Sequence, residues 1–188
     1  MIEGIILAGG YSSRAQTNKM LLRFNDLPLI LHTVLSLFPH VDHMKVVTGF
    51  YDSDIREVFK DFSNVEITNN PYYDKGMFSS ILWGIDNVDC DIFILPGDCP
   101  FVKSETIVAL KNGKGSIRVP AYEGKTGHPI FIDRQLVAKL KKESVDYNLK
   151  AFRNRYNYEI INTDDTNILN DIDTINDYRD LNKNLEGK

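Results

Sequence analysis

The stretch Gly4-Ile-Ile-Leu-Ala-Gly-Gly-Tyr-Ser-Ser-Arg14, followed by Lys19, decides how this chain is read. Ile5, Ile6 and Leu7 form a short apolar run, the pattern of a parallel strand buried on both faces. Gly9 and Gly10 free the backbone behind it for close approach to a ligand. Ser12, Ser13, Arg14 and Lys19 then supply two hydroxyls and two cations beside backbone N–H groups. That collection suits a polyphosphate. The plainer reading of the stretch taken alone is a strand–loop–helix connection with solvated charges. Two known phosphate motifs are excluded. Lys19 is followed by Met20 rather than Ser or Thr, and no third glycine completes G-x-G-x-x-G.

Outward from this stretch, apolar runs alternate with helical patterns. Strands are predicted at 2–8, 44–49, 64–68, 91–95, 116–120, 128–132 and 157–162. Helices are predicted near 28–38, 53–62, 77–87, 104–111, 133–142, 146–154 and 174–183. Pro28 is placed to open the first helix. Asp52 or Ser53 is placed to cap the second, with Glu57 following, and Thr174 to cap the last. Ile81 and Trp83 read as core. The alternation predicts βαβ units and an α/β fold with an open, mostly parallel sheet flanked by helices, as one domain over 1–188. Ligands of such sheets sit beyond the carboxyl ends of the strands.

The chain has 188 residues, 43% of them apolar, enough for a sizeable core. A formal charge of −4 speaks against a nucleic-acid partner met through a basic surface. Glu3 stands where a signal peptide would be basic, and no apolar run approaches a membrane span. Cys90 and Cys99 flank one predicted strand, too far apart for a disulfide, and read as small buried hydrophobes. A cytoplasmic location is expected. His32, His40 and His43 have no partner spacing and read as structural or exposed.

Three further segments fall at predicted strand ends, and a fourth near the C-terminus. In Ile92-Phe-Ile-Leu-Pro-Gly-Asp98-Cys-Pro100 a buried strand delivers Asp98 to the rim. A single carboxylate there suits magnesium, which takes few protein oxygens plus phosphates; an aspartate in a Pro-Gly turn is also common without any ligand. In Asn69-Asn-Pro-Tyr-Tyr-Asp-Lys-Gly76-Met-Phe-Ser-Ser80, Ser79 and Ser80 enter a helix, where they can meet an anion or base edge or simply cap it. In Gly127-His128-Pro129 a histidine enters a strand, either presented to the site or structural. In Asn170-Asp171-Ile-Asp173 two carboxylates point the same way if the segment is extended, and can hold a cation. An EF-hand loop and a G-x-S-x-G elbow are both absent.

Taken in order, Leu7-Ala-Gly-Gly-Tyr-Ser-Ser-Arg14 with Lys19, Gly76-Met-Phe-Ser-Ser80, Leu95-Pro-Gly-Asp98-Cys-Pro100, Gly127-His-Pro129 and Asp171-Ile-Asp-Thr174 resemble the nucleotidyltransferases that make molybdenum cofactor dinucleotides. The resemblance spans nearly the whole chain. It implies a Rossmann-like domain of the nucleotide-diphospho-sugar transferase type. It implies transfer of a nucleotidyl group from a nucleoside triphosphate to a phosphorylated, pterin-type acceptor, and a molybdoenzyme or its chaperone as partner. It assigns Lys19, Arg14 and Asp98 to catalysis. Leu7, Ala8, Gly9, Gly10, Ser12, Ser13, Lys19, Asn70, Gly76, Ser79 and Ser80 would bind nucleotide. Gly127 and His128 would face the acceptor, and Asp98 with Asp171 would hold Mg²⁺. Asp173 stands in reserve for Asp171.

The sequence departs from the family pattern at Ala15 and Gln16, where Met-Gly is usual. Leu-Ala-Gly-Gly resembles the GTP-using branch, whereas Gly76 to Ser80 and Gly127 to Pro129 resemble the CTP-using branch, which is favoured here. Residues 133–160 match least, and an acceptor would be recognised there. A sugar- or alcohol-phosphate acceptor, a non-catalytic nucleotide-binding module and a ligand-free scaffold are the competing readings.

Overall fold

The computed structural model describes residues 1–11, 18–172 and 177–178. Ser12, Ser13, Arg14, Ala15, Gln16, Asp173 and Thr174 lie outside the described residues, as does most of the helix expected over 174–183. The chain runs β1 (Ile2–Ala8), β2 (Arg23–Phe24), β3 (Leu27–Pro28), α1 (Leu29–Leu37), β4 (His43–Thr48) and α2 (Asp52–Val58). It continues through β5 (Val65–Asn69), α3 (Met77–Ile85), β6 (Asp91–Pro96), α4 (Ser104–Asn112), β7 (Ile117–Tyr122) and β8 (Lys125–Thr126). Then follow β9 (Ile130–Ile132), α5 (Arg134–Leu140), α6 (Leu149–Arg155) and β10 (Glu159–Asn162).

The main sheet has the order β10-β7-β9-β6-β1-β4-β5, with β8 paired to β7. β1 is parallel to both β4 and β6, and β4 is parallel to β5. β9 is antiparallel to β6 and β7. This is the α/β arrangement with a mostly parallel sheet that the alternation predicts. Successive residues of β1 serve opposite faces, as strand geometry requires. Ile6 packs with Val34 and Leu37 of α1, Ile55 of α2 and Leu110 of α4. Ile5 and Leu7 pack with Ile81 and Ile85 of α3, Leu140 of α5 and Phe152 of α6. Each such buried side chain contributes about 1.5–3 kcal/mol. Burial on both faces explains why β1 and β6 read as continuous apolar runs. Among the described residues no helix is long and apolar enough to cross a membrane.

Several local expectations are corrected. Pro28 does not open α1: it pairs with Arg23 in the β2–β3 ribbon, extended at ψ 145, and the helix starts one residue later. Tyr51 occupies the N-cap of α2 and makes no side-chain cap. Asp52 instead accepts from Thr48 Oγ1 and, at 2.8 Å, from Arg56 Nε, so it ties the helix to the end of β4. Glu57 pairs with Lys60 rather than completing a capping box. Ile81 is core, but Trp83 is 39% exposed and donates its indole N–H to Thr68 Oγ1. Cys90 and Cys99 are buried free thiols, as expected. Burial first, then the carboxylates of Asp98 and Asp171, pushes the Cys99 thiol far up.

The antiparallel strand sets the second half of the molecule. Ile94 of β6 stands opposite Ile130 of β9, so the chain entering β9 lies beside the end of β6. Gly127 and His128 are in that entry. Gly127 N–H donates to Pro120 at 2.9 Å and His128 N–H donates to Ile168 at 2.9 Å. A Cβ at position 127 would fall 2.1 Å from the Ile168 carbonyl oxygen. Backbone meets backbone there, and only glycine fits. Gly127→Ala is expected to cost about 1–3 kcal/mol by overpacking. Urea unfolding reads this as a lowered midpoint at unchanged slope; a midpoint equal to the parent's would contradict the close approach.

Candidate functional site

β1, β4, β5 and β6 are mutually parallel, so their carboxyl ends share one edge. The chain leaves β1 toward β4 and later returns on the other side as β6, which makes β1 the topological switch point. A cleft of about 280 Å³ opens there, lined by Leu7, Gly9, Gly10, Tyr73, Ser80 and Asp98 among others. A wider cavity of about 860 Å³, lined by Glu3, Lys45 and Glu66, lies at the amino ends of the strands and collects none of the predicted residues.

Asp98 and Lys19 meet in this cleft. Lys19 Nζ donates to Asp98 Oδ2 at 2.6 Å, with the side chains 12% and 15% exposed. Three elements hold the Asp98 turn. Gly97 N–H donates to Leu7 of β1 at 2.9 Å, and Thr33 of α1 donates its hydroxyl to the Gly97 carbonyl at 2.8 Å. Ile172 N–H donates to the Asp98 carbonyl at 3.0 Å. Lys19 rides on a short 3-10 turn, Lys19–Leu21, whose N-cap Asn18 accepts from Met20 N–H and donates to Asp54 of α2. The ammonium is therefore delivered by local structure to a carboxylate that long-range pairing has already placed.

The bond from Ile172 brings its neighbour, the exposed Asp171, to the Asp98 side of the cleft from the far end of the chain. Asp98 and Asp171 both act on His128 and on Cys99. Burial lowers the His128 imidazole, the two carboxylates oppose this, and Arg153 adds to it. Coulomb interactions weaken with distance, and the action of both carboxylates on His128 and Cys99 places these groups in one neighbourhood. Among the described residues no cluster of three or more His, Cys, Asp or Glu could hold a metal. Two carboxylates with room for phosphate oxygens is a donor set that magnesium accepts and structural zinc does not.

The loop between β5 and α3 walls the other side. Asn70 is fully buried; its amide donates to Ser79 Oγ at 3.0 Å and Ser80 Oγ at 3.1 Å, and its Oδ1 accepts from Tyr72 N–H at 2.9 Å. Ser79 Oγ lies 2.8 Å from both the Tyr72 and Gly76 carbonyls. The Asn70 amide and the Ser79 hydroxyl thus tie the loop to itself and to the start of α3. Ser80, which lines the cleft, accepts from Asn70 and keeps a proton to donate. Gly76 turns the chain at φ +93, a conformation glycine adopts without strain. Among the described residues, a Cβ at Gly10 would meet nothing within 4 Å. Sequence reasoning missed Tyr11 and Tyr73, which pack edge to face at 5.3 Å in the cleft wall. It missed Thr33 too, a polar residue on an apolar helix face, which was the available signal.

Residues 4–160 match the MobA-like NTP transferase domain. The chain is 28% identical over 184 residues to the molybdenum cofactor cytidylyltransferase of Escherichia coli (strain K12), covering 94% of this chain and 93% of that one. It is 25% identical over 190 residues to a probable molybdenum cofactor guanylyltransferase of Flavobacterium johnsoniae, covering 96% of each. A nucleotidyl transferase from Methanothermobacter thermautotroptrophicus superposes with a TM-score of 0.84 at 21% identity, over 100% of this chain and 99% of that one, which is a likeness of fold.

Asn70→Ala leaves two buried hydroxyls and a backbone N–H without their partner. We expect a loss of about 1–3 kcal/mol and faster amide exchange in residues 70–76. Unchanged exchange in that loop would show that Asn70 does not hold it.

Proposed function

We propose, given that this chain belongs to the MobA-like NTP transferase domain family, that it transfers a nucleotidyl group from a nucleoside triphosphate to the phosphate of a molybdopterin-type cofactor, with CTP favoured over GTP. The observation that carries this reading is the Lys19–Asp98 pair in a cleft at the switch point of the sheet. An acceptor phosphate oxygen attacks the α-phosphorus, the bond to the bridging oxygen of the β-phosphate breaks, and pyrophosphate leaves. A phosphate acceptor is already ionised, so no general base is required. Positioning and charge neutralisation are what this reaction asks of a protein.

Each side chain has a part in that. Lys19 exchanges its carboxylate partner for the triphosphate, carrying its charge from a resting pair to the reacting centre. Leu7, Ala8, Gly9 and Gly10 offer backbone at the end of β1, with Gly10, which has no side chain, admitting the base or phosphates. Ser80 presents its hydroxyl from the opposite wall. Asp98 and Asp171 would hold a magnesium ion, whose charge offsets that of the triphosphate. Both cytidylyl- and guanylyltransferases stand among the relatives. The preference for CTP rests on Gly76 to Ser80 and Gly127 to Pro129.

Asp98→Asn keeps the size of the side chain and removes its charge. Turnover is expected to fall by at least about a hundredfold in a protein that still folds; near-normal turnover would remove Asp98 from the reaction. Competition among CTP, GTP and ATP at equal concentration, scored by pyrophosphate release with a molybdopterin-type acceptor, is expected to favour CTP by about ten- to two-hundredfold. A GTP preference would reverse the choice of base. Release only with sugar or alcohol phosphates would reverse the choice of acceptor.

A further inference from the structure

Arg153 of α6 is an anomaly of charge. Its Nε is buried without a hydrogen-bond partner. One terminal nitrogen reaches Thr126 Oγ1 at 3.4 Å, at the limit of a hydrogen bond, and the guanidinium lies 4.7 Å from the centre of the Tyr158 ring. Among the described residues no carboxylate pairs with it, whereas Arg155 two positions on binds Glu143 at 2.6 Å and Arg134 binds Asp89 at 2.8 Å. A guanidinium carries five N–H donors, and a partly buried charge with its donors unmet is costly unless an anion comes to it.

The surroundings say where that anion would sit. Thr126 ends β8, and Gly127 and His128 follow on the way into β9. Because Ile130 stands opposite Ile94, this entry runs beside the end of β6, where the Pro96–Asp98 turn begins. His128 Nδ1 is also buried without a partner. Two unmet polar groups thus stand on the β9 side of the β6 end, across that strand from Gly9 and Gly10. We propose that Arg153, with His128 beside it, forms an anion subsite that takes the phosphate group of the acceptor. The planar fork of arginine matches two phosphate oxygens at once. The Tyr158 ring supports the guanidinium from one side by a cation–π contact. The influence of Arg153, Asp98 and Asp171 on the His128 imidazole agrees with a shared neighbourhood. That the anion is an acceptor rests on the nucleotidyl-transfer reading; that an anion binds does not.

The test is calorimetric titration of the full chain with inorganic phosphate, on the parent, Arg153→Gln, Arg153→Lys and Lys19→Ala. The parent and Lys19→Ala should bind phosphate saturably. Arg153→Gln should bind at least about tenfold more weakly, and Arg153→Lys, which keeps the charge and loses the fork, should also weaken. The Tm of Arg153→Gln should be unchanged or raised, since a charge awaiting a ligand contributes no stability. In turnover, the acceptor KM should rise at least about tenfold while the nucleotide KM holds. Parent-like phosphate binding in Arg153→Gln, loss only in Lys19→Ala, or no saturable binding in the parent would each overturn the subsite. If no triphosphate yields pyrophosphate, the transfer reading fails, and the phosphate titration still decides for or against Arg153.

Discussion

The central constraint is the pairing of β1 with two parallel neighbours while both its faces are buried. Ile5 and Leu7 commit one face to α3, α5 and α6, and Ile6 commits the other to α1, α2 and α4. A one-residue slip would exchange the two faces, so register is strongly held. With β4 and β6 in parallel register on either side, the glycines after β1 and the turn after β6 must emerge at the same edge. The cleft follows from this pairing, and its chemistry follows from what stands at those two strand ends.

What the pairing places, smaller interactions aim. The Asp98 turn is held by β1, by Thr33 of α1 and by Ile172. The backbone that carries its carboxylate is thus fixed from three sides, whereas Lys19 reaches it on a long, flexible stem. This division suits a transfer reaction. In the proposed reaction the fixed turn would hold a metal-side carboxylate in place, and the lysine would leave its resting partner for a phosphate. On the far wall the Asn70 side chain does comparable work for Ser80. In both places a fully enclosed or backbone-directed polar group holds the residue that faces the cleft.

Much of the fold was legible because its strands are long and uniformly apolar, as in Ile92-Phe-Ile-Leu. The two-residue strands β2, β3 and β8 were not, since two residues carry no periodicity. Pro28 was misread as the first helical residue and Asp52 as a cap because each has a tertiary partner that overrides its local preference: Arg23 across the ribbon for one, Thr48 at the end of β4 for the other. Trp83 sits on α3 but turns outward to Thr68, which no pattern in one helix reveals. Asp98 could be named from its strand end and Lys19 from the glycine-rich turn before it, but not their direct contact. The bonds from Asn70 to Ser79 and Ser80 were not legible, because a hydroxyl at a helix start looks the same in sequence whether it faces a ligand or the loop behind it. Arg153 was invisible, since a lone arginine in an amphipathic helix reads as a solvated charge. That no carboxylate among the described residues pairs with it is a fact of three dimensions.

In the proposed function, triphosphate and metal bind together at the Lys19–Asp98 cleft. Thermal unfolding of the full chain with CTP, with and without magnesium, tests this most directly. Ligand at about a hundredfold its Kd should add roughly 2.7 kcal/mol of stability, seen as a raised Tm only when nucleotide and magnesium are both present. The same Tm with and without magnesium, or no shift with any nucleoside triphosphate, would contradict it.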